Sequence, residues 1–226
     1  MRCALLILLL CVPVLALANR ADSTHYADGT RIYSPDSLYQ GLTVKLDVGN
    51  TALMAGLTRG KVITSEFAVN CRLKNRYYPV VEGGYAYAHD LQTAGGSYSG
   101  QGGFLRFGAD LNGLKRNPES QNALLIGVRL GTSVQGYSLH GVTWNNPTDP
   151  VLHDYANRFR GDCWGEVVVG AQVQIYGGLN MGWTVRAKVL FTRTTKDGNV
   201  LPYYLPGYGY RNNTSWGVNY YIGYKF

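Results

Sequence analysis

From residue 39 onward, apolar side chains recur at every second position in runs of about ten residues. A period of two is the mark of β-strands, whose successive side chains point to opposite faces. The last run is the plainest: Trp216, Val218, Tyr220, Ile222, Tyr224 and Phe226 fall on one face, and Gly217, Asn219, Gly223 and Lys225 on the other. Earlier runs repeat the pattern. Met181, Trp183, Val185, Ala187, Val189 and Phe191 alternate with Gly182, Thr184, Arg186 and Lys188. Val167 to Ile175 alternates with Glu166, Gly170 and Gln172, and Leu124 to Leu130 with Gly127 and Arg129. The remaining runs are Leu105 to Leu111 around Arg106 and Asp110, Val81 to Tyr87 around Glu82, Ile63 to Leu73 around Glu66 and Arg72, and Leu42 to Val48 around Lys45 and Asp47. Eight strands are predicted.

The links alternate too. Those at about 74–76, 112–122 and 177–179 are mostly short, and Gly177-Gly178 suits a tight hairpin. Those at about 89–100, 137–162 and 194–213 are longer and rich in Gly, Asn, Pro and Tyr, and the link at about 50–60 joins them by parity. Short turns on one side and long loops on the other are the habit of outer-membrane barrels, and an even strand count puts both termini in the periplasm. The fold class expected is all-β: a closed up-and-down antiparallel transmembrane β-barrel of eight strands.

Alternation does not say which face points in. The polar set does: Lys45, Asp47, Glu66, Arg72, Glu82, Arg106, Asp110, Arg129, Glu166, Arg186 and Lys188 are six cations against five acids. Eight strands enclose a bore only wide enough for side chains, and near-balanced ions with glycines fit it better than rings do. The hypothesis is a lumen charge network in which Glu66, Glu82 and Glu166 interlock with Arg106, Arg129 and Arg186. Tyr85, Tyr87, Trp183, Phe191, Trp216, Tyr224 and Phe226 are then membrane-interface aromatics. A soluble barrel with its apolar face inward is the alternative.

Composition agrees with a barrel in lipid. Charged residues are 15% of 226, below the roughly 25% of soluble domains, and 29 Gly and 18 Tyr suit turns, strands and interfaces. Arg2, the apolar stretch Cys3 to Leu17 and the A-x-A site Ala16-Leu17-Ala18 read as a signal peptide over 1–18. The stretch is shorter than the roughly 20 residues a spanning helix needs, and a lipoprotein signal at Cys11 would place the large Leu10 before it. Residues 19–38 are a periplasmic polar lead-in and 39–226 the barrel. The formal charge of +7, one less without Arg2, is spread along the strands. It predicts no nucleic-acid partner and at most a preference for anionic lipid headgroups. Cys71 and Cys163 fall at opposite rims and are expected as separate thiols.

Candidate chemistry is thin. The histidines are His25, His89, His140 and His153, three of them in predicted outer loops. His140 with Ser138, or His153 with Asp154 and Asp149, has the residue types of a lipid-modifying barrel enzyme, but a general base needs an oriented partner. No enzyme, cofactor or metal site is expected. Ala55 to Val62 lacks the first Gly and final Ser/Thr of a phosphate loop and is expected as a Gly-bearing loop. Asn212-Asn213-Thr214-Ser215 reads as a polar turn. Pro202 to Tyr210, rich in Tyr and Gly, is either an outer binding patch or a belt docked on the barrel rim.

Leu73 to Val80, Leu125 to Arg129, Met181 to Arg186 and Tyr204 to Gly209 resemble a domain-of-unknown-function family of small Bacteroidetes outer-membrane β-barrels. The resemblance implies the barrel and the cell outer membrane, and no activity or catalytic residue. The terminal aromatic strand resembles the recognition strand of such barrels, which implies the barrel-assembly machinery as a partner through the strand ending at Phe226. Outer-membrane lipid and lipopolysaccharide are the other expected partners. The expected role is structural or surface-interacting, with a narrow porin-like channel or ligand-binding barrel as the alternative.

Overall fold

The computed structural model describes residues 23–27, 30–33, 38–74, 76–93, 96–114, 122–143, 152–192 and 201–226. The expected signal peptide and Asp149 lie outside them. β1 (Ser23–Ala27) and β2 (Thr30–Tyr33) pair as a small antiparallel hairpin within the segment expected as a plain lead-in.

Eight antiparallel strands close the barrel in the order β12-β3-β4-β5-β6-β7-β8-β9. They are β3 (Tyr39–Asp47), β4 (Val62–Leu73), β5 (Tyr77–Thr93), β6 (Gly96–Asn112), β7 (Ala123–Thr143), β8 (Leu152–Tyr176), β9 (Leu179–Leu190) and β12 (Thr214–Lys225). β10 (Tyr204–Leu205) and β11 (Gly209–Tyr210) form a miniature hairpin between β9 and β12. Closure pairs every wall strand on both sides, except above the early end of β3, where the edges of β4 and β12 lack a strand partner.

The polarity of the wall is inverted relative to a soluble barrel. Outward positions are exposed apolar residues: Leu46 and Val44 on β3, Phe67 on β4, Ile126, Val128 and Leu130 on β7, and the whole Trp216-to-Phe226 set on β12. Inward positions are buried and largely polar.

Four middle strands are longer than the hydrophobic pattern predicts. Most of the loops expected over 89–100 and 137–162 is strand: β5 runs to Thr93 and β6 starts at Gly96, while β7 runs to Thr143 and β8 starts at Leu152. The outward residues there, such as Gln101, Gly136 and Ser138, are not apolar, so alternation fades. Ladder hydrogen bonds need no greasy face, and the inward residues Tyr98, Tyr137 and Leu139 remain buried. His89, His140 and His153 therefore sit on strands rather than in loops.

The link at 50–60 is also a correction, because it holds a helix, α1 (Gly49–Leu57). Ala, Leu and Met favour helix, and the Asp47 carboxylate accepts the Asn50 N–H at 3.0 Å. Arg59 (φ 52) and Gly60 (φ 77) end it in the left-handed region. The helix does structural work. β3 stops at Asp47 opposite Tyr221, whereas β12 continues to Thr214 and β4 starts at Val62 opposite Ala88. α1 packs on β4 and β12 in the gap above the end of β3, with Met54 against the interior apolar cluster and Leu53 and Leu57 exposed.

Candidate functional site

The lumen is built in layers. Near the short turns, Tyr78, Ala123 and Leu125 form a small apolar floor. Above it lies a charged layer. Cross-strand register sets Glu82 opposite Arg106, Arg129 opposite Glu166, and Glu166 opposite Lys188. Arg106 Nη1 lies 2.7 Å from Glu66 Oε1 and 2.8 Å from Glu82 Oε2, and its Nε 3.1 Å from Glu166 Oε1. Arg186 reaches the same three acids: Nη2 is 3.2 Å from Glu66 Oε1, Nη1 is 3.3 Å from Glu166 Oε2, and the guanidinium donates to Glu82. Arg129 Nη1 binds Asp110 at 2.7 Å and its Nε approaches Glu82 at 3.3 Å. These guanidiniums and carboxylates are all buried. Sharing every acid among several donors offsets a desolvation cost that one isolated pair would leave large.

The other predicted lumen residues also point inward and are buried, but outside this knot. Lys45 Nζ lies 4.3 Å above the Tyr221 ring. Asp47 accepts from Asn219 and caps α1. Arg72 lies toward the short turns. Lys188 points up and donates to the carbonyls of Gly207 at 2.8 Å and Tyr208 at 3.1 Å. A cavity of about 30 Å³ remains beside the knot, room for about one water.

Above the charges the Tyr-rich segment folds into the mouth as a plug. Tyr204, Leu205 and Tyr208 are buried; Leu205 and Tyr208 pack with Phe104, Trp164 and Leu190. Arg106 Nη2 donates to Gly207 O at 2.8 Å, so the knot and the plug share a guanidinium. Gly207 has φ +75, and a Cβ there would strike the Phe104 ring. Tyr98 Oη donates to Tyr204 O at 2.9 Å. Arg211 latches the far side, with Nη1 3.2 Å from the buried Asp162 and Nη2 donating to Thr192 O at 2.5 Å. Of the two readings of this segment, docking is the one its geometry supports; it lies in the mouth rather than only on the rim.

Sequence reasoning missed Trp164, Asp162 and the plug's seat. Trp164 is fully buried and donates its indole N–H to Glu166 at 2.6 Å. Parity with Glu166 is the signal that places it inward. Gly131 opposite leaves the space its ring fills.

All seven predicted interface aromatics lie outward and exposed, Trp216 at 75%. Tyr77 and Tyr176 join them. Cys71 is buried and Cys163 exposed, and both are free. His140 Nδ1 lies 3.5 Å from Asp154 Oδ2 on the exposed surface, and His89 stacks on Tyr87. Among the described residues, no group of three or more His, Cys, Asp or Glu is arranged to hold a metal ion.

The family described as "Domain of unknown function (DUF6048)" matches residues 1–226. No curated protein matches the sequence. Among solved structures, Ail, the attachment invasion locus protein of Yersinia pestis, is similar at a TM-score of 0.42 and 7% identity, over 82% of this chain and 97% of that one.

Proposed function

The chain belongs to the DUF6048 family, and from that premise and its inverted barrel we propose that it is a small outer-membrane β-barrel with a structural or surface-interaction role. One observation carries the reading: the same strands bury Arg, Lys, Glu and Asp inside and expose Trp, Tyr, Phe, Val and Leu outside. In water that outer face would be a very large apolar patch; in lipid it is the stable arrangement. The spacing supports it. Tyr77 and Tyr87 stand ten residues apart on β5. At about 3.3 Å per residue and a tilt of about 40°, that is about 25 Å along the axis, the height of a membrane barrel's apolar band.

On this reading the short turns and both barrel termini face the periplasm, and Phe226 ends the strand offered to the assembly machinery. The long-strand rim meets lipopolysaccharide and the surroundings. The packed bore, with Arg106, Arg129 and Arg186 held by carboxylates and carbonyls, favours a structural or surface role over a channel.

Cell fractionation with gel mobility before and after boiling tests the location. The protein is expected in the outer membrane with a heat-dependent shift; a soluble, detergent-free monomer would overturn it. Planar-bilayer recording tests the sealed bore. Steady unitary conductance would favour the channel instead, and altered lipid A mass spectra that revert with His140→Ala would favour an enzyme.

A further inference from the structure

Where its first and last strands meet, the wall has a short joint. β12 pairs with β3 only from Tyr221 to Lys225, but with β9 from Thr214 to Tyr224. On the other flank β3 stops opposite Glu66, whereas β4 continues to Val62. Glu66 pairs with Gly84, and Ile63 with Tyr87. The joint therefore ends three residues below the Tyr87 girdle, about 8 Å along the axis, inside the apolar band. Exposed Ile63, Trp216 and Val218 flank the opening.

The backbone of this opening is only partly met. Along an antiparallel strand, the N–H and C=O of one residue face one neighbour and those of the next residue face the other. Tyr220 O accepts the Val48 N–H at 2.9 Å, so Trp216 and Val218, of the same parity, aim their backbone groups into the opening. On β4 the Val62 N–H donates to Thr58 Oγ1 at 2.9 Å, and Thr64 faces the same side. α1 stands there in place of a strand. A helix uses its backbone groups internally, so α1 shields these edges from lipid without completing the ladder.

α1 is lightly held. None of its nine residues is buried. Ala52, Leu53, Gly56 and Leu57 are exposed, and Met54 packs against the interior apolar cluster. That cluster lies just behind the opening: Val62 pairs with Ala88 and Thr64 with Ala86. Val62, Ala86 and Ala88 are buried, and Leu91, Tyr98 and Leu139 continue the cluster inward. Asp47 and Glu66 begin the charged layer below it. Elements with few buried apolar contacts open at the lowest free-energy cost.

An opening at lipid height, backed by an apolar chamber and closed by one unbranched side chain, fits an alkyl chain. We propose that the joint between β3 and β12 is a lateral port that admits the acyl tail of a membrane lipid into the chamber behind α1. The end of the tail takes the place of the Met54 side chain, itself a short, flexible, unbranched chain, against Val62, Ala86 and Ala88. α1 yields by turning about Arg59 and Gly60, whose backbones are left-handed, and Leu53 and Leu57 stay in lipid throughout. The inference rests on the barrel being embedded in lipid, whichever membrane holds it.

The test reconstitutes the full chain in nanodiscs doped with a phosphatidylcholine whose palmitoyl tail ends in a diazirine. After irradiation, peptide fragment spectra locate the adducts. β5 supplies its own control, since Tyr85 and Tyr87 are exposed outward while Ala86 and Ala88 are buried in the bore. Adducts on Ala86, Ala88 or Leu91 are expected beside those on outward residues. Met54→Ala is expected to raise this inward labelling at least threefold and Met54→Trp to lower it at least threefold, with outward labelling unchanged. Heat-shifted mobility certifies folding, and Met54→Ala serves even where the larger Trp disturbs α1. Four results overturn the proposal: labelling confined to outward residues, inward labelling unmoved by Met54→Ala, inward labelling by diazirine-tipped free palmitate but not by the phospholipid, or a dimer crosslinked through α1 with the inner residues unlabelled. Cell fractionation stays a separate measurement: it decides the cellular location, whereas the labelling reads the reconstituted wall alone.

Discussion

Arg129 holds Asp110 through two contacts and reaches Glu82 as well. Replacing it with Leu leaves buried carboxylates short of a cation, a change that costs about 3–5 kcal/mol in such settings. Arg129→Leu is expected to lower the urea midpoint of the micelle-folded barrel accordingly, and Asp110→Asn added to it to recover part of the loss. Gly131 faces Trp164 so closely that any Cβ enters the ring; Gly131→Val should cost at least the about 1–3 kcal/mol of overpacking. At the exposed tip of β7 and β8, the Gly141 N–H, at 2.9 Å, and His140 hold the Asp154 carboxyl below the usual carboxylate range. A depressed folded value means that the contact's stabilisation is full above the unfolded value near 3.8 and lost only as pH falls through the lower folded one. Slowed exchange of the Gly141 amide is therefore expected to persist below pH 4; loss already at pH 5 would contradict the assignment.

Among elements of the barrel, α1 and the plug are not contained in the strand pattern. α1 completes the wall where β3 ends early, so its inner and outer faces should differ. Met54→Ser is expected to cost about 1–2 kcal/mol, from the lost contact of a half-buried side chain with the interior cluster. Leu57→Ser, on the exposed face, should change the unfolding free energy by less than about 0.5 kcal/mol. The plug is latched at Asp162 and seated on Arg106 and Lys188. Arg211→Ala should loosen it, seen as faster proteolysis between residues 201 and 213 with the barrel's heat-shifted mobility intact.

For the whole molecule, the charged layer and the plug lie one above the other over the apolar floor, and they can be separated. Excising 202–210 and bridging the ends with glycine removes the plug, leaving Phe104 and Trp164 on the wall and the charge knot in place. That variant is expected to remain closed to ions in planar bilayers, because about 30 Å³ of free space beside the knot gives hydrated ions no path. Steady conductance would mean that the plug, not the knot, is the seal.

Much of this was legible along the chain because a barrel wall is a period-two object. Parity alone assigned Glu66, Glu82, Arg106, Arg129 and Arg186 to one face, and the bore's narrowness chose the inside. The same parity assigned Trp183, Trp216 and Phe226 to the outside. Three things were decided only by tertiary structure. Strand length past the apolar band depends on ladder hydrogen bonds, which leave no mark on outward residues such as Gly136 and Ser138. The helix at 49–57 exists because β3 ends before its neighbours, a mismatch visible only once register is known. The plug's place depends on contacts from Gly207 and Tyr208 to Arg106 and Lys188, and no local pattern announces partners so far apart in sequence. Sequence fixes which side of each strand a residue takes, since alternation is local; closure of the sheet decides which residues meet across the bore.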